Sequence, residues 1–246
     1  MYKILFTILF ITSLACASID LSERDVATPV SSPTEQPTQQ PTATTTAIPV
    51  IFQDEFDGSL ASGWNWISED PDRWSLTESP GFLRLYTLSA NINDGRPKNL
   101  LVRPAPGGNF DLETLVNFTP TSNFQFAGLL IYQEQGYAIQ LGRAFANCPI
   151  PNACLGNAIY FDSYQNFEDL STNFATLVSD QSKAYLRIRF QGNQATGYYS
   201  DDGSIWSIIG THQIEFSPTQ VGVLASQGYE EQVPADFDYF TIKAVE

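Results

Sequence analysis

"AYLRIRFQGNQATGYYSDDGSIWSIIG", residues 184–210, alternates apolar and polar side chains and contains two turn-forming dipeptides. Leu186, Ile188 and Phe190 occupy alternate positions, which is the period-two pattern of a strand with one buried face. Gly192-Asn193 predicts a hairpin turn, and Asp202-Gly203 predicts the next turn. The stretch therefore indicates consecutive antiparallel strands.

The same alternation recurs from residue 51 to the end of the chain, and no apolar stripe of helical period and length interrupts it. Further strands are predicted near residues 51–56, 82–87, 99–103, 110–118, 125–132, 137–142, 158–162, 221–226 and 236–243. About a dozen strands exceed an immunoglobulin-like count and predict an all-β fold, a two-sheet antiparallel jelly-roll β-sandwich.

Three details of this sandwich follow from local sequence. "LETLVNF" (112–118) and "FAGLLIY" (126–132) carry few charges and are expected to lie next to each other at central positions. "SPGF" (79–82) predicts a type II turn with glycine at the position that needs a positive φ. The last strand, within residues 235–245, is expected to lie close to "FQDEFDG" (52–58), because chain ends often pair in sandwiches.

The first 17 residues have the composition of a signal peptide, with one Lys and an apolar run too short to span a bilayer. Ser13-Leu14-Ala15-Cys16 resembles a lipobox, so Cys16 is a candidate for lipidation and anchoring to a membrane. Ala15-Cys16-Ala17 is an alternative cleavage site that would remove the cysteine. The predicted location is extracytoplasmic, as a cell-surface lipoprotein or alternatively as a secreted protein.

Residues 18–50 are predicted to be a disordered Pro/Thr-rich linker, and residues 51–246 to be the sandwich. The stretch 27–50 contains five prolines, seven threonines and a single charge, and such a composition cannot build a core. The formal charge of the chain is −15, and no basic stripe is present to neutralise phosphates. Nucleic acid is therefore excluded as a partner.

Two of the three cysteines, Cys148 and Cys154, bracket the loop "CPIPNAC". A disulfide between them would close a short ring and stabilise the fold by about 2 kcal/mol. Zinc is the weaker interpretation, because zinc sites need four ligands and His212 is the only histidine. The same scarcity of histidine argues against a serine or cysteine triad.

Several separated motifs occur in an order that resembles a known family: "WNWISEDPDRWSLTESPGFLRLYT", "LLVRPA", "ETLVNFTP", "FAGLLIYQEQGYAIQLG", "YYSDDGSIWSIIG" and "FDYFTI". Together they resemble the C-terminal concanavalin A-like domain of glycoside hydrolase family 43 β-xylosidases, over residues 52–246. The resemblance implies a sandwich that packs beside a five-bladed propeller, and the propeller carries the catalytic carboxylates. The 50 residues before the sandwich are too few for a propeller, so the resemblance implies a saccharide context without hydrolysis.

Hydrolysis of a glycoside generally needs two carboxylates across the sugar, and no acidic pair stands out in the sequence. No catalytic residue is therefore predicted. Sugar binding needs aromatic faces and a few polar groups, and five residues of one segment supply that mixture: Tyr160, Asp162, Tyr164, Asn166 and Phe167. An ordinary half-buried strand is the alternative interpretation of this segment.

Four further residues are candidates for carbohydrate binding. Trp64 and Trp66 would share a face of an extended segment, with packing inside the sandwich as the alternative. Arg187 and Arg189 lie on the polar face of their strand and would line a groove, or else face solvent.

Acidic residues near the two chain ends form a candidate calcium site, because calcium takes hard oxygen ligands and concanavalin A-like sandwiches often hold this ion. The candidate ligands are Asp54, Glu55, Asp57, Asp236 and Asp238. A plain turn at Asp57-Gly58 is the alternative.

The leading hypothesis is a non-catalytic carbohydrate-binding or accessory domain, at the cell surface or secreted, with a polysaccharide or oligosaccharide as partner. The first alternative is a glycoside hydrolase, or a hydrolase subunit, that acts on plant-type polysaccharide such as xylan. The second is a structural or protein-interaction module without affinity for glycans.

Overall fold

The computed structural model describes residues 48–92, 96–134, 136–149, 154–166, 168–169 and 173–245. The predicted signal peptide and residues 18–47 of the predicted linker lie outside this part of the chain, as do Cys16 and Phe167. None of the described residues belongs to a helix long and apolar enough to span a bilayer.

The described residues form sixteen strands and one 3-10 turn, Pro71–Arg73, which precedes β3. The strands are β1 (Val50–Asp54), β2 (Asn65–Ile67), β3 (Trp74–Ser75), β4 (Leu83–Tyr86), β5 (Leu100–Pro104), β6 (Phe110–Phe118), β7 (Phe126–Glu134), β8 (Tyr137–Ala146), β9 (Gly156–Gln165), β10 (Glu168–Asp169), β11 (Phe174–Thr176), β12 (Lys183–Gln191), β13 (Gln194–Ser200), β14 (Ser207–Gln213), β15 (Gln220–Ser226) and β16 (Pro234–Ala244).

These strands form two antiparallel sheets. In sheet 1 the order is β14-β13-β12-β6-β16-β4-β3, and β1 also pairs with β16. In sheet 2 the order is β10-β9-β8-β7-β15-β5-β2, and β11 also pairs with β9. The predicted all-β sandwich is confirmed.

The hairpin of β12 and β13 forms as its alternation predicts. Leu186, Ile188 and Phe190 are buried, whereas Arg187 and Arg189 lie on the opposite face of β12. Gln191 pairs with Gln194, so the turn has the two residues that the sequence indicates, and Gly192 has a φ of 62°. Glycine adopts this left-handed conformation without steric cost.

The main core lies between the two sheets and contains the inward-facing residues of both. Leu129 and Ile131 of β7 are fully buried in it, together with Leu112 and Ile188 of sheet 1. Burial of each such side chain contributes about 1.5–3 kcal/mol. Sheet 2 carries a second apolar cluster on its other face, where Phe126 and Leu130 belong.

The prediction that the two low-charge strands, β6 and β7, lie next to each other is wrong, although each strand is central in its own sheet. β6 lies between β12 and β16 in sheet 1, and β7 lies between β8 and β15 in sheet 2. The connection from residue 119 to 125 crosses from one sheet to the other instead of closing a hairpin. Low charge indicates burial on both faces, but it does not indicate which strands pair.

Two other local predictions are confirmed. The backbone N–H of Phe82 donates to the carbonyl oxygen of Ser79 at 3.0 Å, and Gly81 has a φ of 82°, as the type II turn requires. The chain ends pair, since Phe52 of β1 lies opposite Ile242 of β16.

The predicted disulfide is also confirmed. Cys148 and Cys154 are bonded, with their Cα atoms 5.5 Å apart. The bond lies between β8 and β9, where it closes the connection between two long neighbouring strands of sheet 2.

Candidate functional site

A groove of about 500 Å³ opens on the outer face of sheet 2. This volume lies within the range of about 300–1,000 Å³ that is typical of small-molecule sites. The groove is lined by residues of β7, β8 and β9. Further lining residues come from the segments that follow β4, β6, β8 and β15 and from the residue before β11. It contains three of the predicted sugar-binding residues, namely Tyr160, Asp162 and Tyr164.

Strand alternation places these three side chains on one face of β9. The neighbouring strand β8 places Gln140 directly opposite Asp162. The amide nitrogen Nε2 of Gln140 donates to Oδ2 of Asp162 at 3.1 Å and to the hydroxyl of Tyr164 at 3.2 Å. Because Gln140 is buried, it fixes the orientation of both polar groups in the floor of the groove.

The hydroxyl of Tyr160 is engaged with the backbone next to the disulfide. It accepts a hydrogen bond from the N–H of Leu155 at 2.8 Å and donates to the carbonyl oxygen of Gly156 at 2.9 Å. Burial is the largest effect on this phenol and raises its pKa. Tyr160 therefore connects the floor to the wall of the groove, where Cys154 also lies.

Two exposed aromatic side chains, Phe124 and Tyr229, lie at the rim of the groove. Half of Phe124 (50%) and nearly half of Tyr229 (49%) is exposed to solvent. Phe124 adopts a left-handed backbone conformation with a φ of 71°, and its N–H donates to the carbonyl oxygen of Phe145 at 2.7 Å. Single exposed apolar side chains are common, but two at the rim of one groove are a feature of ligand sites.

The buried side chain of Gln125 joins the two loops that carry these rim residues. Its Oε1 accepts hydrogen bonds from the N–H groups of Thr121 at 2.6 Å and Ser122 at 3.0 Å. Its Nε2 donates to the carbonyl oxygen of Glu231 at 2.8 Å. Both loops are therefore held in place by one fully buried amide next to Phe124.

The other sugar-binding candidates within the described part of the chain do not line this groove. Asn166 lies in an exposed turn after β9, with a φ of 54°. Trp64 packs against Phe240, with ring centroids 5.0 Å apart, and Trp66 packs against Trp74 at 4.9 Å. Both tryptophans contribute to the core of the sandwich, as the alternative interpretation had it.

Arg187 and Arg189 lie on the outer face of sheet 1 and form ion pairs there. Nε of Arg187 is 2.8 Å from Oε1 of Glu113, and Nη2 of Arg189 is 2.7 Å from Oδ2 of Asp111. The guanidinium of Arg187 also stacks on Trp206 at 3.9 Å. These contacts neutralise and orient both arginines within their own sheet.

The candidate calcium ligands do not form one ligand set. Asp54 accepts three hydrogen bonds, from the N–H of Phe56 at 2.9 Å, the N–H of Ala61 at 2.8 Å and the indole N–H of Trp64 at 2.7 Å. In the described part of the chain, no group of three or more acidic, histidine or cysteine side chains is arranged to hold a metal ion.

The other candidate calcium ligands have contacts of their own. Asp236 forms a bidentate ion pair with Arg84, with both distances 2.7 Å. Burial, followed by the charge of Glu55, raises the pKa of Asp238, and Asp57 adds to this effect. Binding of calcium stays a prediction, and a rise in Tm with calcium relative to chelator is the measurement that tests it.

The sequence did not indicate several residues of the groove. Phe124, Tyr229, Asn91, Asn173 and Gln227 come from loops that are far apart in the chain. No spacing connects them, because only the folded loops bring them together. The contact of Gln140 with a polar residue of the neighbouring strand could have been predicted, because a buried polar side chain needs a hydrogen-bond partner.

The chain matches the family model of the β-xylosidase C-terminal concanavalin A-like domain over residues 53–243. It belongs to this family. The match spans the two-sheet sandwich and includes every residue that lines the groove. Among curated proteins, none matches the chain.

Solved structures with the same fold include family 43 glycoside hydrolases. BlXynB from Bacillus licheniformis is 22% identical with a TM-score of 0.69, over 78% of this chain and 39% of that one. The xylan β-1,4-xylosidase from Bacillus halodurans C-125 is 24% identical with a TM-score of 0.66, over 84% of this chain and 41% of that one. The present chain thus spans less than half the length of these enzymes.

A further structural neighbour is similar in length to the sandwich itself. A functionally unknown protein from Saccharomyces cerevisiae is 13% identical with a TM-score of 0.57, over 75% of this chain and 98% of that one. At these identities the likenesses show the fold alone.

Proposed function

We propose that the sandwich binds polysaccharide or oligosaccharide in the groove on sheet 2 and does not hydrolyse it. The observation that carries the proposal is the combination of exposed aromatic rings at the rim, Phe124 and Tyr229, with a polar floor around Asp162. Aromatic faces pack against the apolar faces of sugar rings, and carboxylate and amide groups hydrogen-bond to hydroxyls. The membership of a family that occurs in β-xylosidases supports a saccharide ligand.

The absence of hydrolysis is proposed from the charges of the groove. Asp162 is the only carboxylate among the described residues that line it. Glycosidases generally place two carboxyl groups about 5–9.5 Å apart across the scissile bond. A single carboxylate binds hydroxyl groups but does not supply both an acid and a base or nucleophile.

Binding is tested with a glycan array and then with isothermal titration of the glycans that bind. We expect Phe124→Ala and Tyr229→Ala each to weaken binding about fivefold, since loss of one aromatic contact costs about 1 kcal/mol. Ile208→Ala is the matched control, because Ile208 is 67% exposed on edge strand β14 and does not line the groove. Unchanged affinity in both aromatic variants would contradict the assignment of the groove.

A second candidate function is participation in hydrolysis of xylan, as part or partner of a glycoside hydrolase. It is favoured by the solved relatives, which are named as family 43 enzymes and as a xylan β-1,4-xylosidase. Release of the chromophore from an aryl xyloside by the purified protein would support this candidate over simple binding. If a broad glycan panel shows neither binding nor turnover, a structural or protein-interaction role becomes the better explanation.

We further propose that Cys16 carries a lipid that anchors the protein to a membrane on the extracytoplasmic side. The lipobox-like Ser13-Leu14-Ala15 before this cysteine supports the proposal. Mass spectrometry of the mature N-terminus distinguishes the two outcomes. A lipid-modified Cys16 confirms anchoring, and an N-terminus beyond Cys16 indicates secretion.

A further inference from the structure

We propose that Asn123 is a positioning residue for glycan binding, because its side-chain amide holds Phe124 in the backbone conformation that presents the ring at the rim of the groove. This inference rests on the proposed carbohydrate binding. It assigns part of the affinity to a residue that does not itself line the groove. Asn123 acts through Phe124 and does not contact the glycan.

The first observation is the backbone at Phe124. Its φ of 71° lies in the left-handed region, which is unfavourable for a bulky side chain and which glycine adopts without steric cost. The N–H of Phe124 donates to the carbonyl oxygen of Phe145 at 2.7 Å, and the N–H of Phe145 donates to the carbonyl oxygen of Gln125 at 3.2 Å. Phe124 and Gln125 thus oppose the single residue Phe145, as in a β-bulge whose first residue is left-handed.

The residue type at this position is unusual. A bulge of this kind normally has glycine as its first residue. A phenylalanine keeps such a strained conformation only where the surrounding structure determines it, and strained residues concentrate at ligand sites. The half-exposed ring of Phe124 lines the groove. The conformation of Phe124 therefore indicates a role for its ring in binding.

The second observation is the pair of hydrogen bonds that Asn123 makes just before Phe124. Its Oδ1 accepts from the N–H of Asn147 at 2.7 Å, and its Nδ2 donates to the carbonyl oxygen of Asn147 at 3.3 Å. Asn123 is exposed, so water could satisfy the same amide, and its two bonds are not needed to bury a polar group. They connect the loop of Phe124 to the segment after β8. Phe124 is therefore fastened on one side by Asn123 and on the other by the buried amide of Gln125.

The effect on binding follows from the order that these contacts impose. A ring that is fixed before binding loses little conformational freedom on contact with a sugar, whereas a mobile ring must be ordered by the glycan. Ordering one side chain on binding weakens affinity by about two- to tenfold. Without the amide of Asn123, Phe124 is free to leave the left-handed region. We therefore expect Asn123→Ala to weaken binding, although the substituted residue lies outside the groove.

The test is a double-mutant cycle by isothermal titration of the full-length protein. The probe is the tightest-binding member of a panel of xylo-, arabino-, gluco-, galacto- and manno-oligosaccharides. Asn123→Ala should weaken binding about fourfold in the native background, but less than about 1.5-fold in the Phe124→Ala background, where no ring remains to be positioned. Asn123→Asp keeps the acceptor for the N–H of Asn147 and should bind within about twofold of the native protein.

Asn109→Ala is the matched control. Oδ1 of Asn109 also accepts a backbone N–H from another loop, that of Gly192 at 3.0 Å, and Asn109 does not line the groove. This control should leave the affinity unchanged. Because Asn123 is exposed, Asn123→Ala should change Tm by less than about 3 °C, which separates positioning from a loss of folding.

Two results would overturn the inference while glycan binding itself stands. One is an equal loss of affinity from Asn123→Ala in the native and Phe124→Ala backgrounds, and the other is no loss in either. If the native protein binds no member of the panel, the proposed function fails and the inference fails with it.

Discussion

Replacement of Asp54 by alanine separates a structural role from a metal-binding role at the first strand. The carboxylate of Asp54 is buried and accepts hydrogen bonds from the N–H groups of Phe56, Ala61 and Trp64. It therefore connects the end of β1 to the segment that leads into β2. Alanine would leave all three donors without this acceptor.

The expected loss follows from the exposure of these donors. A buried donor without a partner costs about 1–3 kcal/mol. Phe56 is fully buried, whereas Ala61 and Trp64 are partly exposed, so water can replace part of what they lose. We expect Asp54→Ala to reduce the free energy of unfolding by about 3 kcal/mol in all, which lowers Tm by about 6–12 °C in a domain of this size.

The assay is urea denaturation and thermal melting, each performed with calcium and with chelator. A structural acceptor loses the same stability in both buffers, whereas a calcium ligand loses it only when calcium is present. Asp72→Asn, at an exposed position of the 3-10 turn and outside the candidate calcium ligands, is the control and should change stability by less than about 0.5 kcal/mol. A loss for Asp54→Ala below about 1 kcal/mol, or one confined to the calcium buffer, would refute the structural role.

Three further predictions concern other parts of the fold. Replacing Cys148 and Cys154 by serine should lower the unfolding free energy by about 2 kcal/mol, measured in urea against the reduced native protein as control. Burial lowers the pKa of His212, so the unfolded chain binds the proton more readily than the folded protein does. The contribution of His212 to stability should therefore be complete above about pH 6.5 and decline below it. In His212→Gln, the urea midpoint should lose this part of its pH dependence. A Cβ at Gly210 would lie 2.3 Å from the ring of Phe174, so Gly210→Ala should lower stability by about 1–3 kcal/mol, and adding Phe174→Leu should restore part of it.

The strands could be predicted from sequence because their signal is local. β6 was expected at 110–118 and is observed at Phe110–Phe118, since its low charge is bounded by turn residues on both sides. The sheet that a strand joins carries no such local signal, because it depends on which connecting loops cross from one sheet to the other. This is why β6 and β7, adjacent in sequence, could be recognised as central strands but not assigned to opposite sheets.

The groove could be predicted only where it is built from one strand. Tyr160, Asp162 and Tyr164 share a face because of the two-residue period of β9. Phe124 and Tyr229 belong to different loops, and only the hydrogen bonds of a buried amide place those loops side by side. Periodicity describes single strands, so it carries no information on this arrangement.

The two outer faces of the sandwich differ in the contacts that their polar side chains make. On sheet 1, Glu113 receives both Arg187 and Lys243, and a ligand on that face would have to displace these ion pairs. Removing one member of a buried pair leaves the other charge unpaired, which is strongly unfavourable. On sheet 2, the groove is flanked by the exposed rings of Phe124 and Tyr229, and Nε2 of Gln140 donates to Oδ2 of Asp162 in its floor at 3.1 Å. For this reason we expect ligand binding on sheet 2, and we expect substitutions of Arg187 to change stability rather than affinity for glycans.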